Sequence, residues 1–157
     1  MLDAIFDFVY RNPFLVLAIC FFLYRSYQSR QPWPDYGGKV VSVHSLDELK
    51  TLQTQSAAES KLLLVDCYAT WCPPCKAAAP VYARMSEEYA NCVFSKVDVD
   101  KAGEVSSHLG VTSMPTFKIF RGPRELGTCQ GWQESAVRRL LDAHGARLGS
   151  AAETKTD

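Results

Sequence analysis

Residues 61–80, KLLLVDCYATWCPPCKAAAP, decide the fold. The opening run, 61–68, is short and apolar with one acid, Asp66, inside it, the pattern of a strand buried on both faces. Pro73 and Pro74 suit the first turn of a helix, where a missing N–H would have had no intrahelical acceptor. KAAAPVYARMSEEYA continues that helix, and Pro80 is expected to kink it because proline cannot donate to the preceding turn. A strand therefore delivers Cys72 to a helix N-terminus, where backbone N–H groups and the helix dipole favour a thiolate. Spaced as Cys-x-x-Cys, Cys72 and Cys75 form a redox pair, with Cys72 the exposed attacker and Cys75 the buried resolver.

Working outward, the same alternation of strand and helix continues on both sides. Upstream, KVVSV (39–43) is a strand, and Ser45 with Glu48 forms a capping box that opens a helix with Leu46, Leu49 and Leu52 at helical spacing. Downstream come a third strand, VFSKVDVD, and a short helix over 104–109. PTFKIF and ELGTCQ then pair as a hairpin across RGPR, and a last helix, QESAVRRLLDAHG, stops at Gly145. The pattern predicts an α/β domain over 39–149, a central sheet with helices packed on it. A chain of 157 residues holds one core of ordinary size.

Lys plus Arg (17) balance Asp plus Glu (17), so no basic face for nucleic acid is implied. Of the six cysteines, only Cys72 and Cys75 sit at a motif spacing. Cys20, Cys67, Cys92 and Cys129 are expected to act as small hydrophobes, with Cys92 and Cys129 left open as partners in a regulatory disulfide. His44, His108 and His144 have no ligand spacing to one another or to the cysteines. A zinc site would need a second pair, and covalent haem would need histidine where Lys76 stands, so no metal is expected.

Residues 1–27 are a hydrophobic segment, 28–38 a polar linker rich in Pro and Gly, and 150–157 an expected disordered tail. The charge-free stretch 12–24 measures about 20 Å as helix, against about 30 Å of bilayer hydrocarbon. Starting at Ile5 gives enough length but encloses Asp7 and Arg11, whose four-residue spacing would let them pair, while Arg25 could snorkel at the other end. The segment is a candidate membrane anchor through residues 5–24. Asp3 and Asp7 fit a signal peptide or a mitochondrial presequence poorly, although Arg11, Arg25, Arg30, Ser26 and Ser29 keep mitochondrial targeting open. As an anchor, Arg25 and Arg30 on the domain side favour a domain facing the cytosol.

DCYATWCPPCK resembles the active-site segment of the thioredoxin family, and VTSMPTFKIF resembles its strand that begins after a cis-proline. The likeness covers roughly residues 40–146. It implies the thioredoxin fold, a mixed five-stranded sheet flanked by four helices, here with an added N-terminal hydrophobic helix. It also implies that Asp66 is a buried carboxylate relaying a proton from Cys75, with Lys96 beside it, and that Met114, before the cis-proline Pro115, pairs its backbone with a substrate chain. Trp71, Tyr68, Gly131 and Trp132 match positions around the substrate groove. Trp132 replaces a small residue common in the family, and Pro73 a glycine, a change expected to alter the redox potential.

The resemblance implies a protein-disulfide reductase that binds no cofactor itself and is regenerated by an NADPH-dependent thioredoxin reductase. Its partners would be disulfide-containing proteins. Three rivals remain: a membrane-tethered exchanger of the cytochrome-maturation type, an oxidase or isomerase in an oxidising compartment, and a non-catalytic binding module. Against the first, Cys75 and Pro115 lie only 40 positions apart, without the inserted segment of that family. Against the last, Cys72, Cys75, Asp66 and Pro115 are all intact.

Overall fold

The computed structural model describes residues 11–30 and 33–149, the side chains of 28–30 excepted. Two units result, Met1–Trp33 and Pro34–Asp157. In the first, helix α1 spans Pro13–Arg30 and carries its apolar side chains in the open, with Phe14 85%, Phe22 70% and Leu23 66% exposed. It continues past residue 27, the bound given to the hydrophobic segment, since neither glycine nor proline interrupts the chain before Pro32. Among the described residues no helix is long and apolar enough to cross a membrane. The proposed pairing of Asp7 with Arg11, and the tail 150–157, lie outside the described residues.

The second unit follows the order β1 (Val40–Ser42), α2 (Leu46–Ala58), β2 (Leu62–Tyr68), α3 (Pro73–Glu88), β3 (Cys92–Asp98), α4 (Gly103–His108), β4 (Thr116–Arg121), β5 (Arg124–Gln130) and α5 (Glu134–Ala143). The five strands lie in the order β1-β3-β2-β4-β5. β1, β3 and β2 are parallel, whereas β4 runs antiparallel to both β2 and β5. β2 is thus central, and all seven of its residues are buried, as a largely apolar run between two neighbouring strands requires.

Successive side chains of a strand face opposite ways, so β2 feeds two cores. Leu62 and Leu64 join Phe94 and Phe117 under α3 and α5, which contribute Ala78, Tyr82, Met85, Val137 and Leu141. Leu63, Val65 and Cys67 join Val97 and Phe120 under α2 and α4, which contribute Leu49 and Val105. Asp66 falls in the same alternation as Leu62 and Leu64.

Helix ends are set locally. Ser45 caps α2, its side chain accepting from Glu48 N–H at 3.2 Å, while the Glu48 carboxylate accepts from His44 N–H at 2.8 Å. The box closes one residue earlier than its usual form. α3 carries Pro73 and Pro74 in its first turn and continues as one helix through Pro80. Arg138 of α5 ties itself to α3 through Glu88 at 2.8 Å. The Gly145 backbone, at φ +85°, stops the chain from continuing α5.

Candidate active site

The carboxyl ends of β2 and β3 and the amino end of β4 meet at one edge of the sheet, because Tyr68 is opposite Asp98 and Cys67 opposite Thr116. Open α/β sheets place their sites at that edge. Cys72 follows β2 there as the N-cap of α3. It is joined to Cys75 by a disulfide, with the two Cα atoms 5.3 Å apart. The Cys75 amide donates to Cys72 Sγ at 3.3 Å, so the helix N-terminus supplies a donor to the sulfur that would carry negative charge. Exposure is smaller than the sequence suggested: Cys72 is 3% exposed and Cys75 0%. The difference still has the expected sign, since Cys75 heads the buried stripe of α3 that continues through Ala78, Ala79 and Tyr82.

Asp66 is 3% exposed and its Oδ1 has no hydrogen-bond partner among the described residues. Burial raises its pKa from 3.8 to about 7, with the nearby Lys96 charge pulling the other way. Lys96 is its register partner on β3, and Phe117 its partner on β4. Tyr82 explains how α3 sits on this strand: its hydroxyl lies 3.0 Å from the Leu64 carbonyl and 2.8 Å from that of Ser95. From Leu64, Asp66 lies toward the site edge along β2. From Tyr82, Cys75 lies two turns toward the same edge along α3, on the same buried stripe.

Across the edge, the Met114–Pro115 peptide is cis. Pro115 is buried and Met114 half-buried. The Pro115 carbonyl accepts from Gly131 N–H at 2.8 Å, which places the β5–α5 loop against the cis-proline. Trp132 is half-buried against Phe117, ring centroids 5.8 Å apart. Much of it therefore packs on the core and only part of it faces outward. Tyr68 is buried at 6% exposure and offers little surface; burial, then the charges of Asp98 and Asp66, push its hydroxyl pKa up. Trp71 is half-buried, and its indole Nε1–H donates to Asp100 Oδ2 at 2.6 Å.

The sequence reading did not find Asp100 or the Tyr82 bridge. The signal for Asp100 was available only through register: with Tyr68 opposite Asp98, the loop after β3 must lie beside the loop after β2. Of the other thiols, Cys67 and Cys92 are buried and each pushed up to about 12 by that burial, so they stay protonated near neutral pH. Cys129 is half-buried, while Cys20 is exposed on α1 rather than packed as a small hydrophobe.

A dithiol pair at a helix N-terminus, a buried carboxylate titrating near neutrality and a cis-proline across the edge are chemically suited to thiol-disulfide exchange. Comparison with known proteins agrees. The thioredoxin family model matches residues 43–143. Thioredoxin 1 of Plasmodium falciparum is 40% identical over 89 residues, covering 57% of this chain and 86% of that protein. A thioredoxin of Aspergillus fumigatus is 37% identical over 107 residues, covering 67% and 97%. The crystal structure of a Nicotiana alata thioredoxin superposes with a TM-score of 0.66 at 31% identity, over 72% of this chain and 98% of that one. The chain belongs to the thioredoxin family and is a protein-disulfide oxidoreductase.

Proposed function

We propose that the chain works in the reducing direction, passing two electrons from the Cys72/Cys75 dithiol to disulfides in other proteins. The Cys72 thiolate attacks one sulfur of the substrate disulfide, forming a Cys72–substrate disulfide and releasing the other sulfur as a thiolate that takes up a proton. Cys75 then gives its proton to the Asp66 carboxylate and attacks Cys72 Sγ. The Cys72–Cys75 bridge forms as the second substrate sulfur leaves and is protonated. Lys96 moderates the Asp66 charge. Met114 offers its backbone to an extended substrate segment, with Pro115, Gly131, Trp71 and the outward part of Trp132 bordering the groove and Tyr68 supporting it from beneath. An NADPH-dependent thioredoxin reductase restores the dithiol.

The observation that carries this reading is the buried Asp66, with its pKa raised to about 7, on the strand beneath the stripe headed by Cys75. Only the resolving step needs a base there. With Cys75 replaced (Cys75→Ser), substrates are expected to remain covalently bound to Cys72 and to be freed by dithiothreitol. Recovery of no such adduct from a disulfide-bearing substrate would contradict the resolving role.

We also propose that the chain associates with a membrane through residues 5–24, with the catalytic unit on the cytosolic side. Its support is the row of exposed Phe, Leu and Tyr side chains on α1 and Arg25 at its domain side. Pelleting with membranes, together with digestion of the catalytic unit by protease added to intact organelles, is the expected result. Protection from protease would instead favour the mitochondrial interior or another enclosed compartment.

A further inference from the structure

A second cleft lies at the opposite end of the sheet from the redox pair. Its floor is the start of β2, and its walls are the end of α2, the β4–β5 turn and the strap after α5. Its volume is about 620 Å³, and every ionisable side chain lining it is basic: Lys61, Arg121 and Arg147. In a chain whose charges balance, 17 against 17, an all-cation cleft is not what a neutral surface supplies by default. It is also a full strand away from Cys72, since β2 alone spans about 20 Å at roughly 3.3 Å per residue.

Two of the cations belong to residues tied down by hydrogen bonds to neutral groups. Arg147 is fixed through its backbone: its N–H donates to Asn91 Oδ1 at 2.6 Å, and its carbonyl accepts from Ala90 N–H at 3.0 Å. Asn91 completes the clamp by donating from Nδ2 to the Gly145 carbonyl at 2.9 Å. Arg121, also on the lining, donates from its guanidinium to the His144 carbonyl at 3.2 Å. Among the described residues neither guanidinium has a carboxylate within ion-pair distance, whereas Lys61 is paired with Glu59 at 2.7 Å. A guanidinium matches the paired oxygens of a phosphate, and the fixed Arg147 backbone narrows where its guanidinium can reach.

We propose that this cleft binds a phosphate group, presented either by a small soluble phosphate compound or by a phosphorylated lipid headgroup. The volume lies in the range of small-molecule sites, about 300–1,000 Å³, and Asn91 and Ser60 on its lining add neutral polar groups. The proposal is independent of the redox direction assigned above, because none of its residues belongs to the Cys72/Cys75 site.

The test uses the full chain and two probes. Calorimetric titration with inorganic pyrophosphate is expected to show saturable one-to-one binding that weakens as salt is raised. Binding should fall about ten-fold in Arg147→Gln and in Arg121→Gln. Arg147→Gln should leave disulfide reduction and Tm unchanged, which separates loss of the site from loss of fold. In the second arm, co-sedimentation is compared on phosphatidylcholine vesicles with and without phosphatidylinositol phosphate. A gain on the anionic vesicles that disappears in Arg147→Gln, without pyrophosphate binding, would assign the phosphate to a lipid. If neither probe shows binding that depends on Arg147 and Arg121, the proposal is overturned.

Discussion

Asp66 concentrates the chemistry that distinguishes this site from a bare pair of cysteines. With burial raising its pKa to about 7, it is partly ionised near neutral pH and can accept the Cys75 proton without holding it permanently. Asp66→Asn removes the acceptor while keeping shape and hydrogen-bonding groups. Release of the mixed disulfide at pH 7 is expected to slow by about 100-fold, the size typical of a lost general base, while attack by Cys72 slows much less. Stopped-flow measurement of the two phases checks this, and equal slowing of both would remove the relay. The same shift makes a stability prediction. The folded protein keeps the Asp66 proton up to about pH 7, whereas the unfolded chain releases it near 3.8, so its stabilising contribution is complete below 3.8 and is lost as pH rises through 7. Asp66→Asn stays neutral throughout and should be the more stable form at pH 8, by up to about 4 kcal/mol, with little difference at pH 4. Urea unfolding at the two pH values measures it; a variant less stable at pH 8 would contradict the burial argument. Cys72, Cys75, Asp66 and Pro115 were legible because each lies inside a short motif. Asp100 was not, since it meets Trp71 across 29 positions and no local pattern connects them.

At the scale of elements, the sequence succeeded where the signal is local and chemical. Ser45 does cap α2, the paired prolines do open α3, and the seven residues after Lys61, apolar except for Asp66, do form the buried central strand. Ser45→Ala should cost about 1 kcal/mol in denaturant unfolding, since Glu48 N–H loses its side-chain acceptor. A loss below the error of the measurement would mean that the His44–Glu48 bond alone holds the turn. Boundaries were less legible. β1 is three residues long, because its pairing with β3 extends only from Val40 to Ser42. α1 continues to Arg30 because nothing in its polar end breaks a helix. Pro80 lies within α3 without ending it, and the packing of Tyr82 and Met85 on the sheet gives a physical reason for the helix to persist beyond it.

For the whole molecule, topology turns scattered residues into a site. Parallel pairing of β2 with β3 and antiparallel pairing of β2 with β4 bring Cys72, Asp100 and Pro115 to one edge. Alternation along the chain predicts an α/β sheet but not the antiparallel sense of β4 and β5 beyond their hairpin, which came from the family resemblance. The basic cleft at the far end had no sequence signal, because Lys61, Arg121 and Arg147 converge only when the sheet is assembled. The central claim, that this dithiol reduces other proteins, is a statement about its free energy of oxidation. Its most direct test is the equilibrium reduction potential of the Cys72/Cys75 pair in the full chain, measured against glutathione. A value nearer to about −270 mV, the figure established for thioredoxin itself, than to about −180 mV is predicted, with Pro73 accounting for the offset from the thioredoxin figure. A value between about −120 and −180 mV, the range of dedicated oxidants and isomerases, would contradict the reducing assignment.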